Sequence, residues 1–338
     1  MKRMLCFISQ QLLPNFITVN EETTRPEALH AVFTPRDRVM NERWKLLKDV
    51  LQRRFPNLQL HGVEVVSAYD AQDIGQKCEN LLRQYANDEW SLNMTGGTKL
   101  MSSPAVEVFR DKGRPIFYVE TPRNLTLQVS PDWTVTEHPF KGVIDLDTYF
   151  ALHGRAISVG TPRTGQEGEL YKQLQKLDWS VWPSISLFDG SAPTTAAIMA
   201  EYDAIGIRFY QLFAFECKRL KLTSEAVKKG FVKQADLDRM KDDILFDLYK
   251  LSQVQQSFGG PFGRSYWVFS GAAQISAVNQ SRIRDFRITL IRGGDLNQIA
   301  RSPEKFGLPP QKSKTAPNAS GPLRLEALGQ PGPRADQV

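Results

Sequence analysis

The chain has 338 residues, 41% of them hydrophobic and 24% charged, with a formal net charge of +6. That is the composition of a globular protein long enough for two ordinary domains, and no apolar run approaches the roughly eighteen residues that a membrane-spanning helix needs. Cys6, Cys78 and Cys217 are odd in number and lack C-x-x-C spacing, which argues against a disulfide framework or a zinc site and for a reducing cytoplasm. A sequence pI near 9.1 is compatible with a polyanionic partner without requiring one.

The first residues, from Met1 to Phe7, resemble the start of a secretory signal but turn polar at Ser9-Gln10-Gln11, so Met4–Ile8 reads as a first strand. Ala28–Thr34 reads as a second strand, stopped by Pro35. Asn41–Arg54 places Trp44, Leu47, Val50 and Leu51 at helical spacing, and Leu58–Val66 alternates like a strand. Asp73–Tyr85 is expected to be a helix and Trp90–Met94 a buried strand. Thr95-Gly96-Gly97-Thr98-Lys99 then leads into a helix ending near Asp111. Arg114–Glu120 is a further strand, and Leu125–Val129 with Trp133–Thr136 suggests a hairpin. Strands alternating with helices imply a Rossmann-like domain with a mostly parallel sheet over residues 1–139.

Residues 140–161 read as a linker with one short helix around Leu146–Leu152. A second α/β domain is expected over 162–301. It has a helix at Gln166–Leu177 and a strand at Ser180–Leu187, then strands at Ala200–Ile207 and Leu212–Arg219 joined by a tight turn. A largely helical stretch from Thr223 to Ser257 and strands at Ser265–Ser270 and Phe286–Ile291 follow. The segment 302–338, rich in Pro, Gly, Ser and Gln, is expected to be disordered.

The most informative stretch runs from Glu201 to Lys218. On a strand, residues two apart share a face, so Glu216 and Lys218 are neighbours and Cys217 points away. An even turn centred between Phe209 and Tyr210 sets Asp203 opposite Glu216 and Glu201 opposite Lys218, with cross-strand Cβ atoms about 5 Å apart. Two carboxylates flanked by Ala204, Ile205, Ala214 and Phe215 repel each other and are costly to desolvate. A shared Mn²⁺ or Mg²⁺ would offset that cost, and Lys218 could orient a water or neutralise developing charge. The bland alternative is a salt-bridged surface hairpin.

With Asp247-Leu-Tyr-Lys-Leu251 and Phe258-Gly-Gly-Pro-Phe-Gly263, the Asp203…Glu216-Cys-Lys218 pattern resembles the PD-(D/E)xK nuclease half of the CARF-fused effectors of type III CRISPR systems. The resemblance implies a restriction-endonuclease-like domain in which Asp203, Glu216 and Lys218 are catalytic, with Asp203, Glu216 and the Cys217 carbonyl as metal ligands. It also calls for a carboxylate from the first helix of the domain. Glu169 is the better match to the family pattern, and Glu167 competes because it lies nearer the Leu170, Leu174 and Leu177 side.

In the first half, Ser9-x-Gln11-x-x-Pro14-Asn15 and Asn93-x-Thr95-Gly96-Gly97-Thr98-Lys99 resemble the CARF half of the same effectors. The second motif lacks Walker spacing, but it stands where a doubly wound sheet offers helix N–H groups to phosphate. The resemblance implies that these ten residues contact a cyclic oligoadenylate, with cyclic tetraadenylate expected. A two-fold ligand suits a homodimer in the cytoplasm of a prokaryote. DNA, RNA or both would be cleaved.

Lys221, Lys228, Lys229 and Lys233 could follow a phosphate backbone or simply form a solvated face, and Lys250 has the stronger claim from its place in the matching motif. His30 and His61 read as strand-edge residues and not as catalysts. The alternatives are a constitutive repair or restriction nuclease and a non-catalytic nucleotide sensor.

Overall fold

The computed structural model describes residues 1–177, 179–190, 198–219, 234–259, 263–270 and 275–309, with backbone alone at 219, 234–242, 255 and 259. The chain divides between Lys141 and Gly142 into two compact units.

The first unit is built on a seven-stranded sheet ordered β3-β2-β1-β4-β5-β6-β7. Its strands are β1 (Lys2–Phe7), β2 (Ala28–Phe33), β3 (Gln59–Glu64), β4 (Glu89–Asn93), β5 (Ile116–Glu120), β6 (Leu125–Val129) and β7 (Val135–Pro139). The first five run parallel, and β5, β6 and β7 form an antiparallel meander. β1 and β2 are near-continuous apolar runs because both of their faces are covered, whereas β3 keeps an exposed alternation. The helices are α1 (Leu13–Asn20), α2 (Arg38–Arg54), α3 (Ala71–Gln84) and α4 (Lys99–Asp111). Asp37, Asp70 and Thr98 cap the last three by accepting first-turn N–H groups, each cap contributing about 1 kcal/mol.

Two features of this unit differ from the sequence reading. Ser9–Asn15 is not only the end of a strand: the chain turns at once into α1, whose eight residues are all buried. A helix buried on every side has no polar face, so no amphipathic period marks it. His30 is not at an edge. It lies 2% exposed on β2, between β1 and β3, with its ring stacked on that of His61 at 4.6 Å. Arg3 donates to its Nε2 at 3.1 Å, and burial, His61 and Arg3 together push its pKa down to about 3. It is a neutral acceptor in the core.

The second unit carries a six-stranded mixed sheet ordered β13-β12-β11-β10-β9-β8. Its strands are β8 (Arg155–Val159), β9 (Ser180–Asp189), β10 (Ile198–Arg208), β11 (Gln211–Arg219), β12 (Arg264–Ser270) and β13 (Ile288–Arg292). β8 to β11 pair antiparallel, and β11, β12 and β13 run parallel. Helices α5 (Leu146–Ala151), α6 (Gln166–Gln175), α7 (Gln234–Gln253, continued by a wide turn over Val254–Gly259) and α8 (Ala277–Asp285) accompany it. One face buries Leu170, Leu174, Leu177, Phe213, Phe215, Tyr266, Val268 and Ile291 in a single cluster. Each such side chain contributes about 1.5–3 kcal/mol by leaving water.

Residues 140–161 are not a linker. Ile144, Leu146, Tyr149, Phe150 and Leu152 are buried, and β8 closes one edge of the second sheet. The expectation of disorder from residue 302 does not hold for residues 302–309. Pro303–Phe306 forms a helical turn, Leu308 is buried, and the Gly307 carbonyl accepts from Arg264 and from the Tyr266 hydroxyl. The rest of that expectation, from residue 310 on, lies outside the described residues. Lys221, Lys228, Lys229, Lys233 and the stretch 260–262 lie outside them too.

Candidate functional site

In the first unit β1 lies between β2 and β4, and the chain winds outward on one side through β2 and β3 and on the other through β4 and β5. The crevice of such a sheet opens where the winding reverses, beyond the carboxyl ends of the two strands that flank the reversal. Those ends belong to β1 and β4, and they carry the two motifs.

Within the motifs the residues divide by role. Asn15 and Asn93 are both wholly buried. Asn15 donates to the Phe7 carbonyl at 2.9 Å. Asn93 donates to Asn15 Oδ1 at 3.1 Å and Thr18 Oγ1 at 3.3 Å, and accepts from the Thr95 N–H at 3.1 Å. These amides bind β1, α1 and β4 together, so they shape the crevice from beneath. Pro14, also buried, sits in the first turn of α1.

Thr95 Oγ1 accepts the Val119 N–H at 2.8 Å, and the Thr98 hydroxyl donates to the Ala68 carbonyl at 3.2 Å while capping α4. A Cβ at Gly96 would fall 2.2 Å from the Phe7 carbonyl oxygen, and Gly97 has φ +74°. The backbone of this turn therefore needs both glycines. Lys99 and Gln11 are exposed, Ser9 is half-buried with its hydroxyl donating to the Gln11 carbonyl, and the α4 amino end faces the same rim. Free first-turn N–H groups and a lysine ammonium suit an anion.

In the second unit the hairpin has the register that the spacing predicts. Ala204 pairs with Phe215, Ile205 with Ala214 and Arg208 with Gln211, around a turn at Phe209-Tyr210. Past the Ala204–Phe215 pair, Asp203 leaves the ladder and its Oδ2 accepts the Cys217 N–H at 2.6 Å. Glu216, on the strand opposite, meets a group from α7: Lys250 Nζ lies 2.6 Å from its Oε2. Lys218 reaches the same helix, with Nζ 3.5 Å from Asp247 and 3.5 Å from Asp243. Strand and helix thus exchange charges crosswise, Glu216 to Lys250 and Lys218 to Asp247. Tyr202 lies beneath, its ring centroid 5.6 Å from Lys250 Nζ.

The electrostatics are those of crowded, buried carboxylates. Burial pushes the Glu216 carboxyl up to about 8, against the opposing pull of Lys250, and Asp203 and Asp247 push it in the same direction as burial. Burial also raises Asp203, where the Cys217 N–H, Lys250, Arg163 and Lys218 oppose it, and raises Asp247 against Lys218 and Lys250. The Cys217 thiol is driven up by burial and by its acidic neighbours, which disfavours its thiolate. Among the described residues no three acidic, His or Cys side chains are arranged to hold a metal ion as they stand. One oxygen of Glu216 is taken by Lys250 and one of Asp203 by a backbone amide.

Of the two glutamates on α6, the structure couples Glu167 to the site. Its carboxyl is raised by burial and then by Asp203, Arg163 stands 3.7 Å away, and its Oε2 is buried without a hydrogen bond. Glu169 instead accepts from Gln173 Nε2 at 2.7 Å. Gly168 permits this first turn, since a Cβ there would lie 2.5 Å from the Arg163 carbonyl oxygen. Asp247 is a site residue whose mark in the sequence is its i, i+3 spacing to Lys250, which puts both on one helix face.

Residues 4–149 match the family of the Card1 CARF domain. The chain carries a CARF domain. A comparison with curated protein sequences gives no match. Among solved structures, the chain is similar to Can2 from Sulfobacillus thermosulfidooxidans in complex with cyclic tetra-adenylate, with TM-score 0.67 and 18% identity over 90% of this chain and 98% of that one. Protein VC1899 from Vibrio cholerae gives TM-score 0.68 and 14% identity over the same shares. A type III CRISPR defence DNA nuclease activated by cyclic oligoadenylate gives 0.55 and 15%, covering 86% of this chain and 48% of that one. At these identities the structural likeness establishes a shared fold beyond the CARF domain and leaves activity to be argued from the residues.

Proposed function

We propose that the chain is a metal-dependent nuclease of the PD-(D/E)xK kind that acts in type III CRISPR defence when a cyclic oligoadenylate, the tetraadenylate foremost, binds its CARF domain. The observation that carries this reading is the cluster of Asp203, Glu216 and Asp247 around Lys218 and Lys250, with Glu167 coupled to Asp203. Carboxylates so buried that their pKa values rise are costly to keep ionised, and a hard divalent cation is the ligand that offsets the cost. Asp203, Glu216 and the Cys217 carbonyl would hold it, with Glu167 in place of Glu169 as the helix carboxylate. A cation there would supply Lewis acidity. Lys218 then neutralises charge on the phosphate being cleaved, and Asp247 fixes its ammonium. The substrate would be DNA, RNA or both.

In the CARF domain, the Ser9–Gln11 segment and the Thr95–Lys99 turn would meet the phosphates of the ring, with Asn15, Asn93 and Pro14 holding that backbone in place. A ring with two-fold symmetry is best satisfied by two copies of the crevice, hence a homodimer. The ring activates only if it binds the cleaving arrangement more tightly than the resting one. The test is cleavage of single-stranded and supercoiled substrates with Mn²⁺, with and without cyclic tetraadenylate. Equal activity in the two conditions would remove the allosteric part of the reading.

One observation favours a second reading. The Glu216–Lys250 contact at 2.6 Å lets the cluster neutralise itself in part, as a purely structural ion-pair network would. The chain would then be a nucleotide sensor without catalysis, and Glu216→Gln would leave any cleavage by the preparation unchanged.

A further inference from the structure

On α7, Asp243, Asp247 and Lys250 face the charge cluster, and the neighbouring stripe of the same helix is aromatic and exposed. Phe246 is 68% and Tyr249 50% exposed, where a surface helix ordinarily carries polar groups. Residues four apart lie about 40° from each other around a helix, so Phe246 adjoins Lys250 directly. Tyr249 lies one i, i+3 step from Phe246 and is steadied by Phe286, with ring centroids 5.4 Å apart. Phe286 ends α8, whose last turn carries Arg282 and Arg284, and Arg287 follows it. Arg284 and Arg287 are exposed, as is the acidic Asp285, while Asp243 is engaged by Lys218.

Exposed rings on a helix that borders buried carboxylates, with arginines flanking Phe286 in sequence, offer the two components of single-strand binding: rings stack bases and cations follow the backbone. A duplex hides its base faces from such a surface. We infer that Phe246 and Tyr249 form a base-stacking platform that lays an unpaired nucleic-acid strand along α7 and delivers its backbone to Lys218 and Glu216. The delivery rests on the nuclease reading; the stacking does not.

The experiment uses the full chain carrying Glu216→Gln, with cyclic tetraadenylate present, so that binding is read without cleavage. Fluorescence anisotropy follows labelled oligothymidylate and oligouridylate, an abasic strand of equal length and a hairpin duplex. Adding Phe246→Ala or Tyr249→Ala is expected to weaken binding of at least one base-bearing strand by about 5- to 100-fold and to leave the abasic strand unaffected. Both positions are exposed, so the variants should keep the parent's melting temperature. Equal weakening toward the abasic strand, no weakening at all, or a shift to a smaller species in sedimentation would overturn the proposal, the last by making the face a contact between copies. If the platform result holds but the wild-type chain cleaves nothing, the hydrolase reading fails and the platform stands.

Discussion

Lys250 Nζ lies 2.6 Å from Glu216 Oε2, so a helix cation is set against the strand carboxylate from which the whole reading of the second unit starts. The contact lowers the carboxyl's pKa, and burial still leaves it at about 8. A group poised in this way is ready to exchange a proton for a metal ion near neutral pH.

The sign of the pH effect follows. The usual value for Glu216 is 4.5 and its folded value is about 8. The folded chain therefore binds this proton more tightly than the unfolded chain, and between those values the stability that Glu216 contributes falls as pH rises. Cation binding needs the ionised form, so Mn²⁺ affinity is expected to rise over the same interval. Thermal melts with and without Mn²⁺ should show a larger stabilising shift at pH 8 than at pH 6, and Glu216→Gln should abolish that pH dependence.

The crosswise pairs predict unequal losses. Lys218→Ala should lower kcat at least about hundredfold if its ammonium meets the phosphate. Asp247→Asn, which loosens Lys218 without removing it, should cost about tenfold and leave KM nearly unchanged. Steady-state cleavage with Mn²⁺ measures both. Glu167→Gln should reduce cleavage more than Glu169→Gln, because Glu167 is coupled to Asp203 while Glu169 is engaged by Gln173.

Much of this arrangement was legible in the chain. The β10–β11 register followed from counting outward from Phe209-Tyr210, because a strand's period of two leaves little freedom once the turn is placed. Other parts were not legible. Helix α1 is buried on all sides and so has no polar stripe to betray it, and β8 is five residues long with weak alternation. Glu167 and Glu169 differ by two positions on one helix. Sequence puts Glu167 nearer the buried side, but only the packing of Gln173 against Glu169 shows which carboxylate is already engaged. Asp247 shows its value only when α7 is laid against β11, a contact no local pattern encodes.

In the CARF domain, scaffold and contact residues separate experimentally. Gly96→Ala forces a Cβ into the Phe7 carbonyl and should destabilise the unit by more than about 1 kcal/mol while abolishing ring binding. Asn93→Ala strands buried partners around Thr95 and Asn15 and should cost about 2–3 kcal/mol. Lys99→Ala, at an exposed site, should leave the melting temperature unchanged and weaken cyclic tetraadenylate about tenfold by calorimetry.

The central claim is that Asp203 and Glu216 grip a divalent cation that cuts phosphodiesters once the ring is bound. Its most direct measurement is cleavage of a labelled single strand by the wild-type chain and by Glu216→Gln, each with Mn²⁺ and cyclic tetraadenylate. The account predicts turnover by the wild type, dependent on both additions, and none above background by the variant. Cleavage by Glu216→Gln at the wild-type rate would contradict it.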